Sequence, residues 1–129
     1  MGRDDAATGP PLTPAVFHIL LALVDGQRHG YGIVQEIARR SEGTVRMGPG
    51  TLYGAIKRML ADGLIVETEQ RPDPAIDDER RRYYQVTDLG YRVATAEARR
   101  LEQLVRVAHA KRLLPRSEPG QPATAQGDA

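Results

Sequence analysis

Gly48-Pro49-Gly50-Thr51-Leu52-Tyr53-Gly54-Ala55-Ile56-Lys57-Arg58-Met59-Leu60-Ala61-Asp62-Gly63 is the stretch whose periodicity decides the fold. Proline suits the first helical position, where its missing N–H would have no partner in any case, and glycine suits the stop. Between them Leu52, Ala55, Ile56, Met59 and Leu60 share one arc at the helical period, and Thr51, Gly54, Lys57, Arg58 and Ala61 share the opposite one. The spacing predicts a helix running to Asp62 with an apolar back and a small, basic outer face. A helix that enters a DNA major groove about 12 Å wide needs such a face, with donors for phosphates and base edges. Gly50 and Gly54 would let backbone approach backbone closely, and the free amides at the helix start would favour a phosphate. Lys57 and Arg58 fit an ordinary solvated face equally well, so the flanking sequence has to decide.

Upstream, a His29-Gly30-Tyr31-Gly32 turn leads into a second helix from about Tyr31 to Ser41, with Ile33, Val34, Ile37 and Ala38 on one stripe and Glu36, Arg39 and Arg40 on the other. Gly43 marks its end. Earlier still, Thr13 and Pro14 read as a cap and a first helical residue, opening a helix to about Asp25. This first helix has almost no polar face, so it should be buried on more than one side. One side belongs to its own core, and the other faces a partner subunit, which places Phe17 and Leu20 at an expected dimer contact.

Downstream, Leu64 to Gln70 and Arg82 to Thr87 read as two strands joined by a loop containing Pro72 and Pro74, hence a hairpin. Tyr83 and Tyr84 alternate across their strand, so one ring should be core and the other exposed. Thr87 caps a long final helix, about Asp88 to Leu114, with Leu101, Leu104, Val105 and Ala108 near a heptad-like seam. That helix is too long for its own domain to bury, and the seam is expected to dimerise. The organisation is a tail over 1–12, a DNA-binding domain over 13–87, a dimerisation helix over 88–114 and a second tail over 115–129, both tails rich in Gly, Pro, Ala and Asp or Gln.

The 129 residues make about one domain, and 40% hydrophobic with 27% charged residues is ordinary for a globular chain. The absence of cysteine excludes disulfides, thiolate metal sites and a catalytic thiol. The longest apolar run, Ala15 to Val24, is broken by His18 and falls short of the roughly 20 residues of a membrane span. No signal peptide is expected at the start, so the expected address is the cytoplasm, without a membrane partner. His18, His29 and His109 are not at metal-ligand spacings, Ser41 and Ser117 are the only serines, and the glycines of 48–54 lack the lysine of a phosphate-binding loop. Neither an enzyme nor a cofactor is expected.

Three helices and a hairpin in this order are the winged helix-turn-helix plan, a mainly α fold with a small β-hairpin, here followed by a long C-terminal helix. Arg80, Arg81 and Arg82 lie at the hairpin's return, where a wing meets flanking phosphates. With Arg71 they are four arginines, matched by the four acids Asp73, Asp77, Asp78 and Glu79, and the whole chain carries only +1. Two readings stay open: a regulator that binds double-stranded DNA, and a winged-helix protein-interaction module with a self-paired wing.

Three blocks narrow the choice. His29-Gly30-Tyr31-Gly32-Ile33, then Gly50-Thr51-Leu52-Tyr53 with Met59-Leu60 and Asp62-Gly63-Leu64-Ile65, then Arg81-Arg82-Tyr83-Tyr84 with Val86-Thr87 and Gly90, resemble in order and spacing the signature blocks of the PadR family of transcriptional regulators. The resemblance covers roughly residues 14 to 108. It implies a winged-helix homodimer on a palindromic operator near a promoter, often a repressor released by a small molecule, and the single final helix looks like the short subfamily. It places Thr51 and Tyr53 at the start of the recognition helix near the DNA backbone, and Tyr31 close to the same surface. For both tyrosines, packing on the core edge is the competing account. Some short members stack flat aromatic ligands between tryptophans, and this chain has none. A small apolar effector would then be expected near Phe17, the only phenylalanine, although plain core packing also accounts for that residue.

Overall fold

The computed structural model describes residues 11–68 and 82–115. Thr13 caps the first helix, α1 (Pro14–Leu23), its Oγ1 accepting from the Val16 N–H at 3.2 Å. Ile19, Leu20 and Ala22 are fully buried in the core of their own chain. Leu20 therefore has no surface left for a partner, which corrects its expected place at a dimer contact. The mostly apolar composition of α1 is absorbed largely by helices and sheet closing over it from several directions.

The next element, β1 (Arg28–His29), falls where the sequence predicts only a turn. A two-residue strand has no period to detect. Its register pairs Arg28 with Tyr84 and His29 with Tyr83, and the Arg28 Nε donates to the Ala22 carbonyl at 2.8 Å. His29 also caps α2 (Gly30–Arg40), its Nδ1 accepting from the Gly32 N–H at 3.0 Å. At the other end of α2 it is Glu42, with φ 55°, that turns the chain out of the helix, followed by Gly43 with φ 83°. The amides of Glu42 and Gly43 close back onto the carbonyls of Arg39 and Ala38.

The third helix, α3 (Pro49–Ala61), follows the expected period, with Leu52, Ala55, Ile56 and Met59 buried. Gly63, at φ 77°, ends it, and the Leu64 N–H donates to the Met59 carbonyl at 2.9 Å. The hairpin follows as β2 (Ile65–Thr68) and β3 (Tyr83–Val86), in antiparallel register from Ile65 opposite Val86 to Thr68 opposite Tyr83. With β1 on the far side of β3, the sheet has three strands in the order β1-β3-β2.

That extra strand explains why both Tyr83 and Tyr84 are buried, against the expectation that one would face solvent. Tyr84 joins the main core, while the ring of Tyr83 meets the ring of His29 edge-on at 5.2 Å, on the other face of the strand pair. Thr87 then starts α4 (Asp88–Ala110): its hydroxyl donates to the Gly63 carbonyl at 2.6 Å and accepts from the Gly90 N–H at 3.0 Å. Gly90 has to be glycine because a Cβ there would collide with the Leu64 carbonyl and the Val86 side chain. The helix stops short of the expected Leu114, at Ala110, where Arg112 takes φ 66° and the Leu113 N–H turns back to the Ala108 carbonyl. With no glycine there, the sequence carries no stop signal before Pro115.

The chain divides into two compact units, Met1–Glu97 and Ala98–Ala129. In the first, the core is built on Ile19, Leu20, Leu23, Ile33, Ile37, Met59 and Ile65. Gly90, Val93, Ala94 and Glu97 of α4 are buried within it, and the Leu12 N–H donates to the Glu97 carboxylate at 3.3 Å. In the second, Leu104, Val105, Val107, Leu113 and Leu114 are exposed. Among the described residues no helix is long and apolar enough to cross a membrane.

Candidate nucleic-acid interface

The back of α3 is in the core, so its outer arc must face out. Gly50, Thr51, Tyr53, Gly54, Lys57 and Arg58 are all exposed. A Cβ placed on Gly50 or Gly54 would meet no atom within 4 Å, so protein packing does not require either glycine. They lower the outer face instead of opening space for a neighbour within the chain. Gly48 brings no side chain to cap the helix start, and the positive end of the helix dipole there suits an anion.

Both candidate tyrosines of the helix-turn-helix unit are at the surface. Tyr31 is 62% exposed and Tyr53 is 52% exposed, so neither is taken up in the core. The ring of Tyr31 lies parallel to that of His29, with centroids 6.4 Å apart. The hydroxyl end of Tyr53 lies over Gly30, the first residue of α2. The first turns of α2 and α3 thus meet where the Tyr53 hydroxyl lies over Gly30.

On the wing, Arg82 is exposed and its Nη1 donates to the Glu67 carboxylate at 3.0 Å across the hairpin. That hydrogen bond, and then the charge of Glu67, hold the Arg82 guanidinium above its ordinary pKa. Burial first, and then the neighbouring Glu67 and Tyr53, push the Tyr84 hydroxyl above its usual value. Arg80 and Arg81 lie outside the described residues, as do Arg71, Asp73, Asp77, Asp78 and Glu79. The acid that pairs Arg82 is not among those the sequence suggests, because its partnership depends on strand register.

Glu36 is a second residue that sequence reasoning passes over. Its side chain is only 11% exposed, and its carboxylate meets Arg28 and Arg40 at 3.5 Å each and hydrogen-bonds Arg39. The hydrogen bond from Arg39 holds the carboxyl below the usual range against the opposing effect of burial, and the charges of Arg28, Arg39 and Arg40 add to it. The spacing of Glu36 to Arg39 and Arg40 is a usable signal. Arg28, which comes from β1, carries none. In the turn before α3, exposed Arg46 also faces outward, its Nε donating to the Gly43 carbonyl at 3.3 Å.

Of the expected dimer residues, Phe17 is half-buried against the core. On the second unit, Leu104 and Val105 are exposed, and Leu101 and Ala108 are half-buried.

A three-helix unit carrying a small sheet, with donors on the outer face of its third helix, defines a winged helix-turn-helix protein. The profile of the transcriptional regulator PadR-like family matches residues 19–96, and the chain belongs to that family. It is a transcriptional regulator and not an enzyme. A transcriptional regulator of Mycobacterium tuberculosis is 40% identical over 89 residues, covering 69% of this chain and 77% of the relative. A transcriptional regulator from Clostridium thermocellum superposes with a TM-score of 0.64 at 24% identity, over 74% of this chain and 87% of the other. A PadR family transcription regulator from Clostridium difficile gives 0.62 at 22% identity, over 76% and 97%. These two likenesses are likenesses of fold.

Proposed function

We propose that the protein is a homodimeric repressor that reads a palindromic operator, with α3 in the major groove and the wing on flanking phosphate. The observation that carries this reading is the exposure of the whole outer arc of α3, Gly50, Thr51, Tyr53, Gly54, Lys57 and Arg58, beside exposed Tyr31. Small residues admit the helix, and the cations and hydroxyls supply donors. Arg80, Arg81 and Arg82 add phosphate contacts from the wing. The exposed Leu104 and Val105, with Leu101 and Ala108 beside them on α4, are the surface on which a second copy packs. Two-fold symmetry then sets two half-sites about one helical turn, roughly 34–36 Å, apart or a multiple of it. Such a regulator works in the cytoplasm.

Phe17, packed against the core, is accounted for without an effector. The Arg82–Glu67 pair favours the interaction-module reading, since a self-paired wing suits a protein partner. Selection of duplexes from a randomised pool decides between them. Enrichment of a two-fold symmetric motif, together with raised transcription from a reporter carrying that motif when the protein is withdrawn, supports the repressor. No enrichment over a scrambled pool transfers the case to the interaction module.

A further inference from the structure

Gly30 is the first residue of α2 and is buried, yet its backbone does not take the positive φ that would call for glycine. Alanine would ordinarily serve a helix better at such a position. The reason for glycine is steric. A Cβ at residue 30 would stand 2.5 Å from the Tyr53 hydroxyl oxygen, 3.1 Å from its Cζ and 3.4 Å from a Leu52 methyl. The tightest of these contacts is with the far end of a side chain that is 52% exposed and so can swing aside. Alanine would therefore displace the tyrosine without breaking the fold.

We propose that Gly30 is a positioning residue for DNA binding: its missing side chain is the seat that holds the Tyr53 hydroxyl at the junction of α2 and α3. This rests on the DNA-binding reading above. A hydroxyl at the start of a recognition helix donates to phosphate more tightly when its ring is already held in the bonding pose, because ordering a free side chain on binding costs affinity. The seat supplies that pose from the neighbouring helix, and so ties the register of α2 to the donor geometry of α3.

A double-mutant cycle tests it. Wild type, Gly30→Ala, Tyr53→Ala and Gly30→Ala/Tyr53→Ala are titrated on the symmetric duplex that the wild type enriches from a randomised pool, and each is melted. Gly30→Ala is expected to bind about tenfold more weakly, the scale of one hydrogen bond to a charged group, with no fall in melting temperature. Tyr53→Ala should also weaken binding, and adding Gly30→Ala to it should change neither affinity nor melting. Should Gly30→Ala alone fail to fold, a folded double variant that binds as Tyr53→Ala still supports the seat, and an unfolded one overturns it. Wild-type affinity in Gly30→Ala, unchanged binding in Tyr53→Ala, or an equal loss from Gly30→Ala in both backgrounds overturns the proposal while leaving DNA binding intact. A wild type that enriches no duplex overturns both.

Discussion

At Gly54 a side chain would enter open space on the outer arc of α3, so the glycine is a cost to the helix with no return in packing. Gly54→Ala should raise stability by up to about 1 kcal/mol through helix propensity. If DNA approaches the backbone there as proposed, the added methyl stands in its way and affinity for the enriched duplex should fall. Thermal melts and titrations together check this, and a variant that is both more stable and equally tight would remove Gly54 from the interface. Lys57, on the same arc, should read base edges: Lys57→Ala is expected to cost about 1–3 kcal/mol on the enriched duplex and less on random DNA. Glu36 works differently, as a carboxylate holding three guanidiniums. Its folded pKa is lowered from 4.5, so its contribution is fully present above that value and is lost as pH falls through the lower folded one. Glu36→Gln should therefore be less stable than wild type near neutrality, and the gap should close on acidification, as chemical denaturation at stepped pH would show. A gap that is constant with pH would mean that packing, and not charge, accounts for the loss.

Elements differ in how much of them is legible beforehand. The three core helices announce themselves through Thr13 with Pro14 in α1, the stripe of Ile33, Val34, Ile37 and Ala38 in α2, and Pro49 with Gly63 and an apolar stripe at the helical period in α3. Thr87 announces the start of α4 and nothing announces its end, because the residue that turns the chain there is Arg112. The outer arc of α3 is legible for the same reason as its core arc, since one period fixes both. β1 is illegible, and with it the burial of Tyr83, the reach of Arg28 to Glu36 and the double duty of His29. These depend on strand pairing between residues far apart in sequence. The cap on α2 can be tested alone: His29→Ala should cost about 1 kcal/mol, and His29→Asn should recover the part due to the cap but not the part due to the imidazole ring packing on Tyr83. Calorimetric melts of the two variants would separate the parts. On the wing, Glu67→Gln frees Arg82 from its partner, so DNA should bind more tightly on every sequence, most clearly at low salt. Binding that is unchanged or weaker would show that Arg82 does not reach phosphate.

For the molecule as a whole, assembly and DNA binding should fail together. If the exposed Leu104 and Val105 on the second unit carry the proposed contact with a second copy, Leu104→Glu with Val105→Glu should yield a monomer in sedimentation at micromolar concentration. Such a monomer should keep the helical content of the first unit and lose most of its affinity for a two-half-site duplex, since each half-site then binds alone. The proposed grip of α3 and the wing on DNA works through charged and polar donors. It is tested most directly by titrating the enriched symmetric duplex against a scrambled one over stepped salt concentrations. A tighter grip on the symmetric duplex is expected at every salt, with a steep linear fall of log affinity with log salt, about 0.9 of slope for each phosphate neutralised. A flat salt dependence, or equal affinity for both duplexes, would contradict it.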